Sequence, residues 1–265
     1  MLKEEVLEGS PASAQFSLQE IEFFQTEGYT IVRGLASESL RQRMFDVTRD
    51  NVERRVEPLE LESDLQYPGA PHSSQSEGGR TIRRLKQALS RNIVFTEWLQ
   101  HQPLLTRIRQ LLGPQVVCPL AHHNCIMTKE PQFSSDTGWH QDLRYWSFTR
   151  PDLVNVWLAL GPERRENGCL QVIPGTHRMS FPPESFDAAK FFRNDWPANE
   201  PILAQRLMVE LDPGDVLFFH ARTLHAATRN NSSLTKYSAV FTFRAIDNPP
   251  IEGTRSWHSP ELLLH

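Results

Sequence analysis

Between residues 116 and 243 the chain is a succession of short runs of β-branched and aromatic residues separated by turn residues. The runs fall at 116–119, 122–129, 153–160, 170–173, 207–210, 216–219, 224–228 and 236–243. About eight strands with no helical pattern alternating between them fold as an antiparallel barrel or sandwich, not as a doubly wound parallel sheet. The helical signals come first. Ser17-Leu-Gln-Glu20 is a capping box and predicts a helix to about residue 25. A short strand is expected at 28–33, and Ser37 opens a second helix with Leu40, Met44 and Val47 at helical spacing. Further helices are expected at 81–90, 94–100 and 103–112, the last ended by Gly113-Pro114. Residues 57–80, rich in Ser, Gly and Pro, form a loop longer than a simple connection, and a lid is expected there. The expected organisation is one domain over 1–265. Its helical part covers about 17–113, its β core about 114–246 and a tail 247–265.

Charge narrows the functional classes. Lys plus Arg total 28 and Asp plus Glu 32, a net charge of −4, so nothing draws the whole chain to nucleic acid or to an anionic membrane. No apolar run approaches membrane-spanning length. The segment from Met1 to Gln15 is polar and lacks the basic start and apolar stretch of a signal peptide. Cys118, Cys125 and Cys169 form no CxxC pair. They read as reduced, buried thiols and offer no paired spacing for a zinc site. A cytoplasmic location is the default expectation; the sequence carries no signal for oligomeric state.

Of ten histidines, one is followed two positions later by a carboxylate: His140-Gln141-Asp142. In a strand, residues i and i+2 face the same side, so both side chains can reach one metal ion. A histidine from a later strand would complete a two-His, one-carboxylate face that leaves three positions open, the arrangement of non-haem Fe(II) oxygenases. The open positions suit a chelating co-substrate and O2. The second histidine is either His220, after the apolar run 214–219, or His225, which opens the next strand. A hairpin from about 224 to 243, turning at 229–233, favours His225. On its second strand Lys236, Ser238, Val240 and Thr242 share a face, and Lys236 would sit across from His225 to pair with a carboxylate at the metal. In the strand 153–160, Val156, Leu158 and Leu160 form an apolar face suited to helix packing, while Asn155, Trp157 and Ala159 form a mixed face suited to a site. His122, His123 and His177 are expected to be structural, and Gly168 and Gly175 to be turn glycines. Arg83 and Arg84, in a basic run beside the loop, are expected to bind an anionic substrate, with Arg144 and Tyr145 on the substrate wall.

Several stretches carry a more specific signal in their order: the helix–strand opening 21–34, Trp139-His-Gln-Asp142, Trp157, the Asn167-Gly-Cys-Leu170 run leading to Pro174-Gly-Thr-His177, and Gly214-Asp215 leading to Leu224-His225. From about 17 to 246 the chain resembles the phytanoyl-CoA dioxygenase family. The resemblance implies a mainly β fold with flanking helices and a double-stranded β-helix (jelly-roll, cupin-like) core. It assigns His140, Asp142 and His225 to iron and places Gln141 and Trp157 near 2-oxoglutarate. Eleven residues after the distal histidine the family usually has Arg for the distal carboxylate of 2-oxoglutarate; this chain has Lys236, a point charge in place of a planar fork. Arg229 and Arg244 are the other cations for that role. The implied activity is that of an Fe(II)- and 2-oxoglutarate-dependent dioxygenase that hydroxylates a small molecule with O2 and releases succinate and CO2. Asp142 stands where a halogenase needs an open site, so halogenation is disfavoured. A jelly-roll metal- or ligand-binding protein without 2-oxoglutarate turnover, and a cupin-like zinc or manganese enzyme, are the alternatives.

Overall fold

The computed structural model describes residues 8–9 and 13–265; most of the polar segment before Gln15 lies outside the described residues. In chain order the elements are β1 (Glu8–Gly9), α1 (Leu18–Glu27), β2 (Tyr29–Val32), α2 (Glu38–Glu53), β3 (Leu59–Leu61), β4 (Ile82–Lys86), α3 (Ala88–Arg91), α4 (Ile93–Leu99), α5 (Gln102–Leu112), β5 (Val116–Pro119), β6 (Asn124–Lys129), β7 (Thr137–His140), β8 (Leu153–Ala159), β9 (Leu170–Ile173), α6 (Glu200–Leu203), β10 (Leu207–Val209), β11 (Val216–His220), β12 (Leu224–Ala227), β13 (Lys236–Ala245) and β14 (Glu261–Leu264). The Ser17 capping box is present: the Glu20 amide donates to Ser17 Oγ, and Glu20 accepts the Ser17 amide at 2.7 Å.

Two sheets form the jelly roll. The larger runs β1-β2-β11-β8-β13-β6-β4-β3, with β5 on β13 and β14 on β5; the smaller runs β10-β9-β12-β7. Alternation on the central strands separates two cores. Val154, Val156 and Leu158 of β8 and Phe241 and Phe243 of β13 join Phe95, Trp98, Leu105 and Ile108 from α4 and α5. Trp157 and Ala159 of β8, Val240 of β13 and Phe219 of β11 join Leu170 and Val172 in the interior. The expected apolar and mixed faces of β8 are therefore as found.

Three expectations are corrected. Residues 82–86 are a strand, not the first turns of a helix. Ile82 and Leu85 are both buried in the helix-side core, three residues apart, because the β3–β4 register slips between Glu60 and Leu61. That irregularity breaks the period of two and imitates helical spacing. Residues 224–243 are not a hairpin: β12 pairs with β7 and β9 in the small sheet, whereas β13 pairs with β5, β6 and β8 in the large one. The chain crosses between sheets at 228–235, so Lys236 faces Lys129 of β6 in register, not His225. The C-terminal tail is not an appendage either, since β14 extends the large sheet through β5. Within 57–80, Tyr67 packs on Phe191 at 5.5 Å between centroids and lies under Arg83.

Candidate active site

Pairing of β12 with β7 sets His225 directly opposite His140 in the small sheet. Their rings lie 4.2 Å apart between centroids. β7 ends at His140, and Asp142 begins a single 3-10 turn, Asp142–Tyr145. The strand argument for His140 and Asp142 is therefore only half right. Asp142 reaches the site because the chain turns there, with its amide donating to the Ala221 carbonyl at 3.0 Å. His140 Nε2 and His225 Nε2 are each 3.7 Å from the Asp142 carboxylate. All three residues are buried, and one ligand atom from each lies within 4.8 Å of the others.

Backbone carbonyls orient both rings. His140 Nδ1 donates to Gly138 O at 2.8 Å and His225 Nδ1 to Thr223 O at 3.0 Å, which leaves both Nε2 lone pairs facing the carboxylate. Burial, with the other ring's charge, pushes His140 well below its ordinary value; burial also lowers His225, despite Asp142. Burial alone would raise Asp142, but His123 and His225 outweigh it and hold the carboxyl below the usual range. Asn155 donates to Asp142 Oδ2 at 2.7 Å and is itself fixed by Thr242 Oγ1 at 2.6 Å. His123 Nε2 meets Asp142 Oδ1 at 3.2 Å. Two neutral imidazoles and an ionised, hydrogen-bonded carboxylate are a donor set that fits Fe(II) with an open face.

These ligands open on a cavity of about 620 Å³, lined by the metal residues at one side, Trp157, Phe219 and Leu170 in its wall, and Lys129 and Lys236 among its charged groups. Lys236 Nζ lies 3.0 Å from Glu163 Oε2 and 5.0 Å from the Trp157 ring centre. Trp157 Nε1 and Ser238 Oγ both donate to Glu163 Oε1, at 2.8 and 2.6 Å. Arg83 and Glu62 pair beside them at 3.2 Å. The two lysines and Arg83 against Glu163 and Glu62 leave one net positive charge, which fits one carboxylate of a diacid.

Other expected residues fall elsewhere. Gln141 turns away and donates to the Arg222 carbonyl at 2.6 Å. Arg229 is taken up by Asp136 and Arg244 by Glu261, which removes both fallback cations. His220 approaches Asp152 rather than the ligand cluster. Arg83 lines the cavity but is buried, its Nη atoms bound to Glu62, Ser135 and Thr137 and its Nε without a hydrogen-bond partner, so most of its donors serve as a strut. Arg84 and Arg144 line the cavity, Arg84 paired with Glu60 at 3.3 Å and Arg144 donating to Tyr67 Oη at 3.1 Å. Each keeps a buried nitrogen without a partner, Nε of Arg84 and Nη1 of Arg144. Tyr145 lines the mouth and is half exposed. His177 is structural as expected, bonding to Gln25 O at 3.2 Å. His123 is not merely structural, as its bond to Asp142 shows. His123, Lys129 and Glu163 are the residues that sequence reasoning missed. The alternation Cys125, Met127, Lys129 on β6 was the available signal for Lys129.

The phytanoyl-CoA dioxygenase (PhyH) family model matches residues 24–237. A probable phytanoyl-CoA dioxygenase of Caenorhabditis elegans is 24% identical over 243 residues, covering 88% of this chain and 76% of that protein. The peroxisomal phytanoyl-CoA dioxygenase of Homo sapiens is 25% identical over 227 residues, covering 82% of this chain but 64% of the human protein, just under two thirds of its length. Among solved structures, the non-heme alpha ketoglutarate dependent carbocyclase SnoK from nogalamycin biosynthesis superposes with a TM-score of 0.71 at 19% identity, covering 94% of this chain and 97% of that one. Among the described residues no helix is long and apolar enough to cross a membrane. The chain belongs to the phytanoyl-CoA dioxygenase family of Fe(II)- and 2-oxoglutarate-dependent oxygenases.

Proposed function

We propose that His140, Asp142 and His225 hold Fe(II), and that 2-oxoglutarate lies against Trp157 with its distal carboxylate at the basic end of the cavity. The protein then hydroxylates a small anionic molecule admitted past Arg84, Arg144 and Tyr145. The observation that carries this reading is the in-register pairing of His140 with His225 around Asp142, opening on one cavity. Iron(II) with 2-oxoglutarate and O2 supplies the oxidising power to break an unactivated C–H bond, with succinate and CO2 released. The chain contributes geometry and exclusion of water. The Gly138 and Thr223 carbonyls hold the imidazoles in the ligating tautomer. His123 and Asn155 keep Asp142 ionised and aimed. Phe219, Trp157 and Leu170 supply dry walls. A cavity of about 620 Å³ suits a small organic substrate. Arg84 and Arg144 line that cavity and bring positive charge to an anionic substrate.

The test is co-substrate turnover. Iron-loaded protein incubated with 2-oxoglutarate and O2 forms succinate slowly without a primary substrate, and Asp142→Ala abolishes it. Candidate carboxylate, phosphate and sulfate compounds are then scored by stimulation of succinate release, which Arg84→Ala reduces. Succinate release equal in wild type and Asp142→Ala would remove the oxygenase reading and favour a binding protein.

A further inference from the structure

We propose that Lys129, not the lysine at the family's usual anchor position, carries the distal carboxylate of 2-oxoglutarate, while Glu163 neutralises Lys236 within the protein. This inference rests on the co-substrate reading above. Lys236 has no charge to spare. Its ammonium faces Glu163, whose side chain is fully buried and also receives Trp157 Nε1 and Ser238 Oγ. Glu163 cannot swing aside without abandoning three donors, and its backbone is clamped by reciprocal bonds with Leu211 at 2.8 and 3.0 Å. Glu163 stands behind Lys236 rather than in the cavity wall, so an arriving 2-oxoglutarate carboxylate would find the charge of Lys236 already compensated.

Lys129 differs. It stands opposite Lys236 on the interior face of β6 and β13 and lines the same cavity. Its ammonium donates to a neutral acceptor, the Ser135 carbonyl at 2.8 Å, and no carboxylate lies within 4 Å of it among the described residues. An ammonium carries three donors, so two are left for a ligand. Its burial without a counter-ion is costly unless an anion arrives. Burial, with Arg83 and Lys236 adding, holds the ammonium down to about 7. Gly168 makes room for it: a Cβ there would lie 3.0 Å from Lys129 Cδ, and 2.3 Å from the Thr228 carbonyl, at a left-handed φ of 77°.

The spacing suits a five-carbon diacid. On β8, Asn155 supports the metal ligand Asp142, and Trp157, two residues on and on the same face, supports the lysine cluster. At about 3.3 Å of rise per residue the two ends lie roughly 7 Å apart along the strand.

The experiment is an anaerobic titration of Fe(II)-loaded protein with 2-oxoglutarate and, separately, with pyruvate, which has the same chelating end and no distal carboxylate. Binding is read from the visible band of the chelate. Lys129→Gln keeps a donor for the Ser135 carbonyl and removes the charge. It is expected to weaken 2-oxoglutarate on the order of 100-fold, the scale of a buried charge pair, and to leave pyruvate within a few-fold of wild type. The double variant Lys236→Met with Glu163→Leu removes the internal pair together, and is expected to weaken 2-oxoglutarate less than about 10-fold, because the two charges cancel. Equal 2-oxoglutarate affinity in wild type and Lys129→Gln, equal weakening of both acids by Lys129→Gln, or a larger loss in the double variant than in Lys129→Gln overturns the assignment. Absence of a band with either acid in wild-type protein would instead overturn the co-substrate reading itself.

Discussion

Replacing Asn155 with alanine tests whether the buried network around Asp142 sets metal affinity. Asn155 donates to Asp142 Oδ2 at 2.7 Å and accepts from Thr242 at 2.6 Å, and all three side chains are buried. A hydrogen bond to a charged group contributes about 1.5–3 kcal/mol. At about 1.4 kcal/mol per tenfold, that is roughly 10–100-fold in an equilibrium constant, the same range measured when a partner of a metal ligand is removed. The Asn155→Ala protein should therefore bind Fe(II) about 10–100-fold more weakly in an anaerobic competition with a chromophoric chelator. Thr242→Val, one step further out, should cost no more than about 1 kcal/mol, or roughly fivefold. Its removal leaves the Asn155–Asp142 bond in place. Iron affinity in Asn155→Ala indistinguishable from wild type, with a circular dichroism spectrum unchanged, would refute the idea that this network aims the carboxylate.

Three further outcomes are expected. Arg83→Met should lower stability by about 3–5 kcal/mol in urea unfolding, because it strands the fully buried Glu62 without its cation, whereas Arg84→Ala, at the cavity mouth, should change stability little and raise the substrate KM. In metal-free protein, the melting temperature should fall as pH drops from about 6.5 to 4. Burial, helped by the charge of His220, holds His177 near 4, so over that window the unfolded chain binds more protons than the folded one and stability is lost with acid; His177→Gln should flatten the slope. Trp98→Ala, in the fully buried contact between α4 and the large sheet, should cost about 3–5 kcal/mol without altering iron affinity.

Most strands of the jelly roll were legible because alternation marks a strand with two unlike faces, and β8, buried on both, showed it cleanly in Val156 and Leu158 against Asn155 and Trp157. Two features hid from the same logic. The slipped register of β4 put Ile82 and Leu85 on one side and mimicked a helix. The crossing from β12 to β13 read as a hairpin because a polar turn between two strands looks the same whether they pair or join facing sheets. At the site, the metal triad was readable from spacing and context, since ligation demands particular residue types. His123 and Glu163 were not, because each reaches its partner from outside the strands by tertiary packing, where neighbours in sequence say nothing about neighbours in space. Lys129 was hidden behind the wrong pairing of β13: once β13 is placed beside β6, the two lysines face each other by register alone.

The most direct test of the central claim is an anaerobic 2-oxoglutarate titration of Fe(II)-loaded wild-type protein beside Asp142→Ala and His225→Ala, following the visible charge-transfer absorption of the chelate. The account predicts a saturable band in wild type that is lost or strongly weakened in both variants. Wild-type protein shown to hold one Fe(II) per chain but giving no band, or a band unaffected by either substitution, would contradict it.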